Sequence, residues 1–150
     1  PYVLALPSQL TNVSVISTKR LSPAFWGGEP DLALTRDRLT ALMAHADLVV
    51  APDTGPAHIA SAVGTDVLGL FAASNPYRSG PYNSLDWCVN RYPEALEKFT
   101  GKTVEQARWG AKAEFEGAME MITVADATGM LDRWIEAHPS PGTQTAPKSG

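Results

Sequence analysis

Asp53-Thr54-Gly55-Pro56-Ala57-His58-Ile59-Ala60-Ser61-Ala62-Val63-Gly64 lies between two apolar runs, Asp47-Leu48-Val49-Val50-Ala51 and Asp66-Val67-Leu68-Gly69-Leu70-Phe71. An apolar run, a polar turn containing glycine, a short helical stretch and a second apolar run describe one unit of a parallel α/β sheet. Pro56 suits the first helical turn and Gly64 the helix stop. In such sheets ligands bind beyond the carboxyl ends of the strands, where Asp53-Thr54-Gly55 falls. The following helix start offers free N–H groups and the positive end of its dipole, a corner suited to phosphate. The order of elements predicts an α/β fold, a Rossmann-like, mainly parallel sheet with flanking helices.

The 150 residues are 44% apolar and 19% charged, the composition of one soluble globular domain with a real core. A net charge of −4 and a pI near 5.3 leave no electrostatic footprint for nucleic acid. No apolar stretch reaches the length of a membrane span and no signal-peptide pattern opens the chain. Cys88 is the single cysteine, so no internal disulfide framework forms. A cytosolic location is the simplest reading, with peripheral contact to the inner membrane left open for a longer protein. Pro1 opens directly on a strand-like run, so the expectation is a domain over residues 1–138 cut from a larger protein. Residues 139–150 are expected to form a disordered tail.

Outward from the central unit, residues 2–6 and 13–17 read as buried strands and residues 21–34 as a loop with two prolines and a Gly-Gly pair. A helix is expected over residues 36–46, capped by Thr35, with Leu39, Leu42, Met43 and Ala46 on one face. Residues 72–82 read as a rim loop on the same edge as Asp53. Thr103-Val104-Glu105-Gln106 has the form of a capping box and predicts a helix to about Met121. A last helix is expected over residues 127–137, capped by Asp126, with Met130, Leu131, Trp134 and Ile135 inward.

Asp53 and Thr54 admit two readings. Either one caps the following helix, or both serve a ligand: the Thr54 and Gly55 amides and the Thr54 hydroxyl binding a diphosphate, Asp53 accepting from sugar hydroxyls. Gly55 lets backbone approach the ligand where a Cβ would intrude. His58, in the first turn, serves either as a structural donor or as a ring N–H aimed at the anion corner. His45 reads as a charge at a helix C-terminus and His138 as exposed. On the rim, Ser74 and Arg78 are possible contacts, although a solvated Arg is the commoner case. Trp87, Trp109 and Trp134 read as packing residues, and Cys88 as a buried small hydrophobe. The chain has no Asp-x-Asp pair, no P-loop, no Gly-x-Gly-x-x-Gly and no Gly-x-Ser-x-Gly.

The stretch Ala46-Asp47-Leu48-Val49-Val50-Ala51-Pro52-Asp53-Thr54-Gly55-Pro56-Ala57-His58-Ile59-Ala60 resembles the signature of the ADP-heptose lipopolysaccharide heptosyltransferase family. The following strand ending in Leu70-Phe71, the Gly80-Pro81-Tyr82 turn and Ile122-Thr123-Val124 before the last helix are also similar to it. The resemblance implies a GT-B glycosyltransferase, of which this chain is the C-terminal, donor-binding domain. It implies an ADP-sugar as donor substrate, no metal or other cofactor, and a lipopolysaccharide core as acceptor. By the same resemblance Asp53 contacts the donor sugar, Thr54, Gly55 and Pro56 the diphosphate, and His58 lies close by. The acceptor domain and its general base belong before Pro1, so the isolated chain is expected to be inactive. The rival readings are a non-catalytic nucleotide or nucleotide-sugar binding module and an epimerase on the same fold.

Overall fold

The computed structural model describes residues 32–139. The expected strands at 2–6 and 13–17, most of the loop at 21–34 and the tail from 140 onward lie outside the described residues. The described elements are helix α1 (Leu32–Ala44), strand β1 (Leu48–Pro52), helix α2 (Gly55–Ala62), strand β2 (Asp66–Phe71) and the single turn α3 (Pro76–Ser79). A 3₁₀ helix (Tyr82–Trp87), strand β3 (Cys88–Asn90), helix α4 (Tyr92–Thr100), a 3₁₀ turn (Met119–Met121) and helix α5 (Val124–Ala137) follow. The strands form one parallel sheet in the order β1-β2-β3, with Val50 opposite Leu68 and Leu70 opposite Val89. The fold is α/β and Rossmann-like in its layering, as the central stretch predicts.

Strand side chains alternate between the two faces of a sheet, and here both faces are covered. Val49, Ala51 and Val67 pack with Met43 of α1 and with Ala57 and Ala60 of α2. Leu48, Leu68 and Val89 pack with Leu131 and Trp134 of α5 on the other face. The alanines of α2 let that short helix lie close to the sheet. Gly69 serves the same closeness within β2. A Cβ there would stand 2.5 Å from the Phe71 ring and 2.8 Å from the Cys88 sulfur.

Five expectations need correction. Helix α1 begins at Leu32, so Thr35 lies inside it and does not cap it. Leu32-Ala33-Leu34 are strong helix formers, and the prolines and glycines upstream do not reach them. Leu42 is exposed, although Met43 is fully buried and Leu39 and Ala46 pack against the core. The helix expected from Thr103 to Met121 does not form. The amide of Thr103 donates to Gln106 Oε1 at 3.1 Å, which is half of a capping box, but the chain then turns at Gly110 and Gly117, both at φ +82°. The helix of this region is α4, entered through Pro93 and closed by Gly101 in the left-handed conformation at φ +68°. Trp109, expected to pack, is 81% exposed. The reciprocal capping box lies instead at α5, between Thr123 and Asp126, so that helix starts three residues earlier than expected.

Short contacts join the periphery to the sheet. Trp134 Nε1 donates to Asp66 Oδ2 at 2.7 Å, and His138 stacks on Trp134 while its Nε2 lies 3.3 Å from the same carboxylate. His138 is therefore exposed, as expected, but partnered. His45, by contrast, bonds locally to the Ala41 carbonyl. Arg91, just after β3, grips Asp126 at the start of α5 through Nη2 (2.5 Å) and Nε (3.3 Å). This guanidinium, together with the Thr123 amide and hydroxyl, holds the Asp126 carboxyl down to about 2, from an ordinary 3.8. A carboxyl depressed in the folded state stabilises fully above its unfolded value and loses that contribution as the pH falls through its folded one. Asp126→Asn is therefore expected to lower the urea midpoint at neutral pH and to flatten its decline between about pH 4 and pH 2. An unchanged acid slope would show that the pair contributes nothing to stability.

Candidate functional site

At the carboxyl ends of β1 and β2 the chain makes a corner whose centre is Asp53. The Ser74 hydroxyl donates to Asp53 Oδ2 at 2.6 Å and the Ser79 hydroxyl to the same oxygen at 2.8 Å. His58 Nε2 stands 3.4 Å from Oδ1. Burial alone would raise the Asp53 carboxyl, but the two serine hydroxyls and His58 outweigh it and hold the group below its ordinary value. Asp53 is thus a fixed, ionised acceptor, with one oxygen held by the 74–79 turn and the other beside His58.

The surrounding backbone explains how the serines arrive there. Asn75 caps α3 by accepting from the Tyr77 amide, and Pro76 opens that turn and is fully buried. One helical turn places Ser79 under Asp53. Gly80 then seals the turn by donating to Pro76 O at 2.7 Å, where any Cβ would collide with that same carbonyl.

Neither Asp53 nor Thr54 caps α2. Asp53 is occupied by the serines, and the Thr54 hydroxyl turns back to the Pro52 carbonyl at 3.2 Å. The amides of Gly55 and Ala57 donate to no described acceptor. The first turn of α2 therefore presents free N–H groups beside Asp53, with Pro56 between them supplying none. A Cβ on Gly55 would meet nothing within 4 Å among the described residues.

A pocket of about 290 Å³ opens against Asp53 and Ser74. Its floor is Pro52, Leu70, Ala72 and Ala73, and its outer wall is Lys112, Glu114 and Met119. The wall comes from the stretch between Thr103 and Met121 that the sequence predicts as a helix. Of the rim pair, Ser74 is in the site, while Arg78 faces away. Arg78 lines a separate depression of about 270 Å³ with Tyr92, Glu105, Arg108 and Trp109, its buried Nε without a hydrogen-bond partner among the described residues. Ser79, next in sequence, makes the contact with Asp53 instead, a role only the helical turn discloses. Cys88 is half-buried, and burial first, then Asp86, pushes its thiol up to about 11, which keeps it protonated and unreactive.

The glycosyltransferase family 9 (heptosyltransferase) model matches residues 32–108, a span containing β1, α2, β2 and the whole Asp53 corner. The chain belongs to that family. It is 43% identical over 96 residues to the lipopolysaccharide core heptosyltransferase OpsX of Haemophilus influenzae, an alignment covering 64% of this chain and 28% of that protein. The chain thus spans under a third of the length of that curated relative. No solved structure matches it significantly. Among the described residues, no helix of this glycosyltransferase-family chain is long and apolar enough to cross a membrane.

Proposed function

We propose that this chain is the donor-binding domain of a GT-B glycosyltransferase that moves a heptose from a nucleoside diphosphate to a lipopolysaccharide core acceptor. Family membership supports the reaction class. The observation that carries the site is an ionised Asp53 fixed beside an uncapped helix start. The free amides of Gly55 and Ala57 and the dipole of α2 meet the diphosphate, and Asp53 accepts from hydroxyls of the sugar next to it. As the glycosidic bond to phosphate breaks, negative charge grows on the departing diphosphate. N–H groups already aimed at that charge stabilise it most in the transition state. His58 stands on the same helix turn, and its ring N–H serves either Asp53 or the nearest phosphate oxygen.

In this reading the acceptor hydroxyl and the base that deprotonates it come from a preceding domain of the longer protein. Dipole and amides, with no divalent cation, meet the charge of the donor. Heptose transfer by the full-length protein is accordingly expected to persist in EDTA and not to rise with added Mg²⁺. The check is ADP release with ADP-heptose and a core lipopolysaccharide acceptor. Activity that vanishes in EDTA and returns with Mg²⁺ would overturn the metal-independent reading.

A further inference from the structure

The 290 Å³ pocket is lined on its outer side by a segment lying beyond the stretch that the family model matches. That segment is seated firmly although it has no regular secondary structure. The amide of Ala113 donates to the Ala73 carbonyl at 2.7 Å, just past the end of β2, and the Tyr92 hydroxyl donates to the Ala111 carbonyl at 2.8 Å. Ala113 is fully buried against Ala72, Tyr92, Ala95 and Leu96. Its neighbours Lys112 and Glu114 both line the pocket, and Lys112 Nζ meets Glu114 Oε1 at 2.8 Å, the lysine side chain about half exposed and the glutamate more so.

Charge decides what such a pocket accepts. Among the described residues, the carboxylates of Asp53 and Glu114 face it against the ammonium of Lys112, which is already paired with Glu114. A diphosphate would be repelled there, and its place is the start of α2, whose residues do not line the pocket. A neutral ring carrying several hydroxyls is matched instead. Carboxylates accept from hydroxyls, the ammonium donates to them, and the apolar floor of Leu70 and Ala72, with Met119 of the wall, takes the ring's C–H face.

We propose that Lys112 and Glu114 are specificity-determining residues that bind hydroxyls of the donor's sugar ring. They satisfy each other in the free protein and exchange that exposed ion pair, worth little in itself, for hydrogen bonds to the sugar. The proposal rests on the donor-site reading of Asp53. Two hydroxylated rings belong to such a donor, the transferred sugar and the nucleoside ribose, and the pocket's place beside Asp53 assigns it to the transferred sugar.

The test is calorimetric titration of the full-length protein and its Lys112→Met, Glu114→Gln and Asp53→Ala variants with ADP and with ADP-heptose. The two wall side chains are half exposed or more, so their variants are expected to keep the wild-type urea midpoint. Each is expected to weaken ADP-heptose about tenfold and to leave ADP unchanged. Equal losses for both compounds would place the ribose in the pocket and overturn the assignment. No loss in the wall variants, with a selective loss of ADP-heptose in Asp53→Ala, would overturn the wall's role and leave the donor site standing. Wild-type protein that binds ADP-heptose no tighter than ADP, with Asp53→Ala without effect, would overturn the donor site and this proposal with it.

Discussion

Asp53→Ala in the full-length protein is expected to weaken ADP-heptose by about 10- to 100-fold while ADP changes by less than about threefold. The range follows from hydrogen bonds to a charged acceptor, about 1.5–3 kcal/mol. The selectivity follows from the geometry. Asp53 stands at the mouth of the pocket, whereas the groups suited to diphosphate are backbone amides that the substitution leaves in place. Asp53→Ala also leaves the buried Ser74 hydroxyl without its acceptor, so some stability is lost as well. Asp53→Asn separates the two effects. It keeps an acceptor for Ser74 and Ser79 but removes the charge, and is expected to restore most of the urea midpoint with only part of the affinity. Equal losses for ADP and ADP-heptose would show that Asp53 only anchors the 74–79 turn.

Leu68→Ala is expected to cost about 2–5 kcal/mol of folding stability. Leu68 is fully buried in the central strand, opposite Val50, and touches the cluster through which Leu131 and Trp134 of α5 hold the sheet. The sheet has three described strands and β3 is three residues long, so little can move in to refill the cavity. The urea midpoint should fall without a change in slope, the mark of lost stability rather than a changed denatured state. A loss below about 1 kcal/mol would mean that α5 repacks and that this face is not the tight interface described.

The part of the fold that positions the site was legible because it obeys local rules. Apolar runs, Pro56 early in α2 and Gly64 after it mark β1, α2 and β2 with little error. What lay beyond the sequence depended on tertiary contacts. Cys88–Asn90 is too short for a period-2 pattern and becomes a strand by pairing with β2. Thr103 and Gln106 do make the bond their spacing suggests, but Ala107, Ala111 and Ala113 pack irregularly against α4 and two positive-φ glycines break the path.

The site divides the same way. Asp53, Thr54, Gly55, Pro56 and His58 are brought together because they are consecutive or one helical turn apart. Ser74 was foreseen as a rim contact, and the structure gives it a partner 21 residues away. Ser79 could be found only once α3 was known to be a helical turn. Lys112 and Glu114 carry no motif at all, and the Ala113–Ala73 and Tyr92–Ala111 bonds bring them to the pocket. Arg78 shows the converse: a residue type suited to phosphate, turned by that same helical turn to the other side of the loop.

The central claim is that the start of α2 and Asp53 form the donor site. Hydrogen exchange of the full-length protein, with and without saturating ADP-heptose, addresses it amide by amide. The claim predicts slowed exchange in the peptide carrying Gly55, Ala57 and His58, whose first two amides have no acceptor among the described residues, and in the 74–79 turn held to Asp53. Bound donor that slows exchange elsewhere and leaves residues 53–59 as they were in the free protein would contradict it.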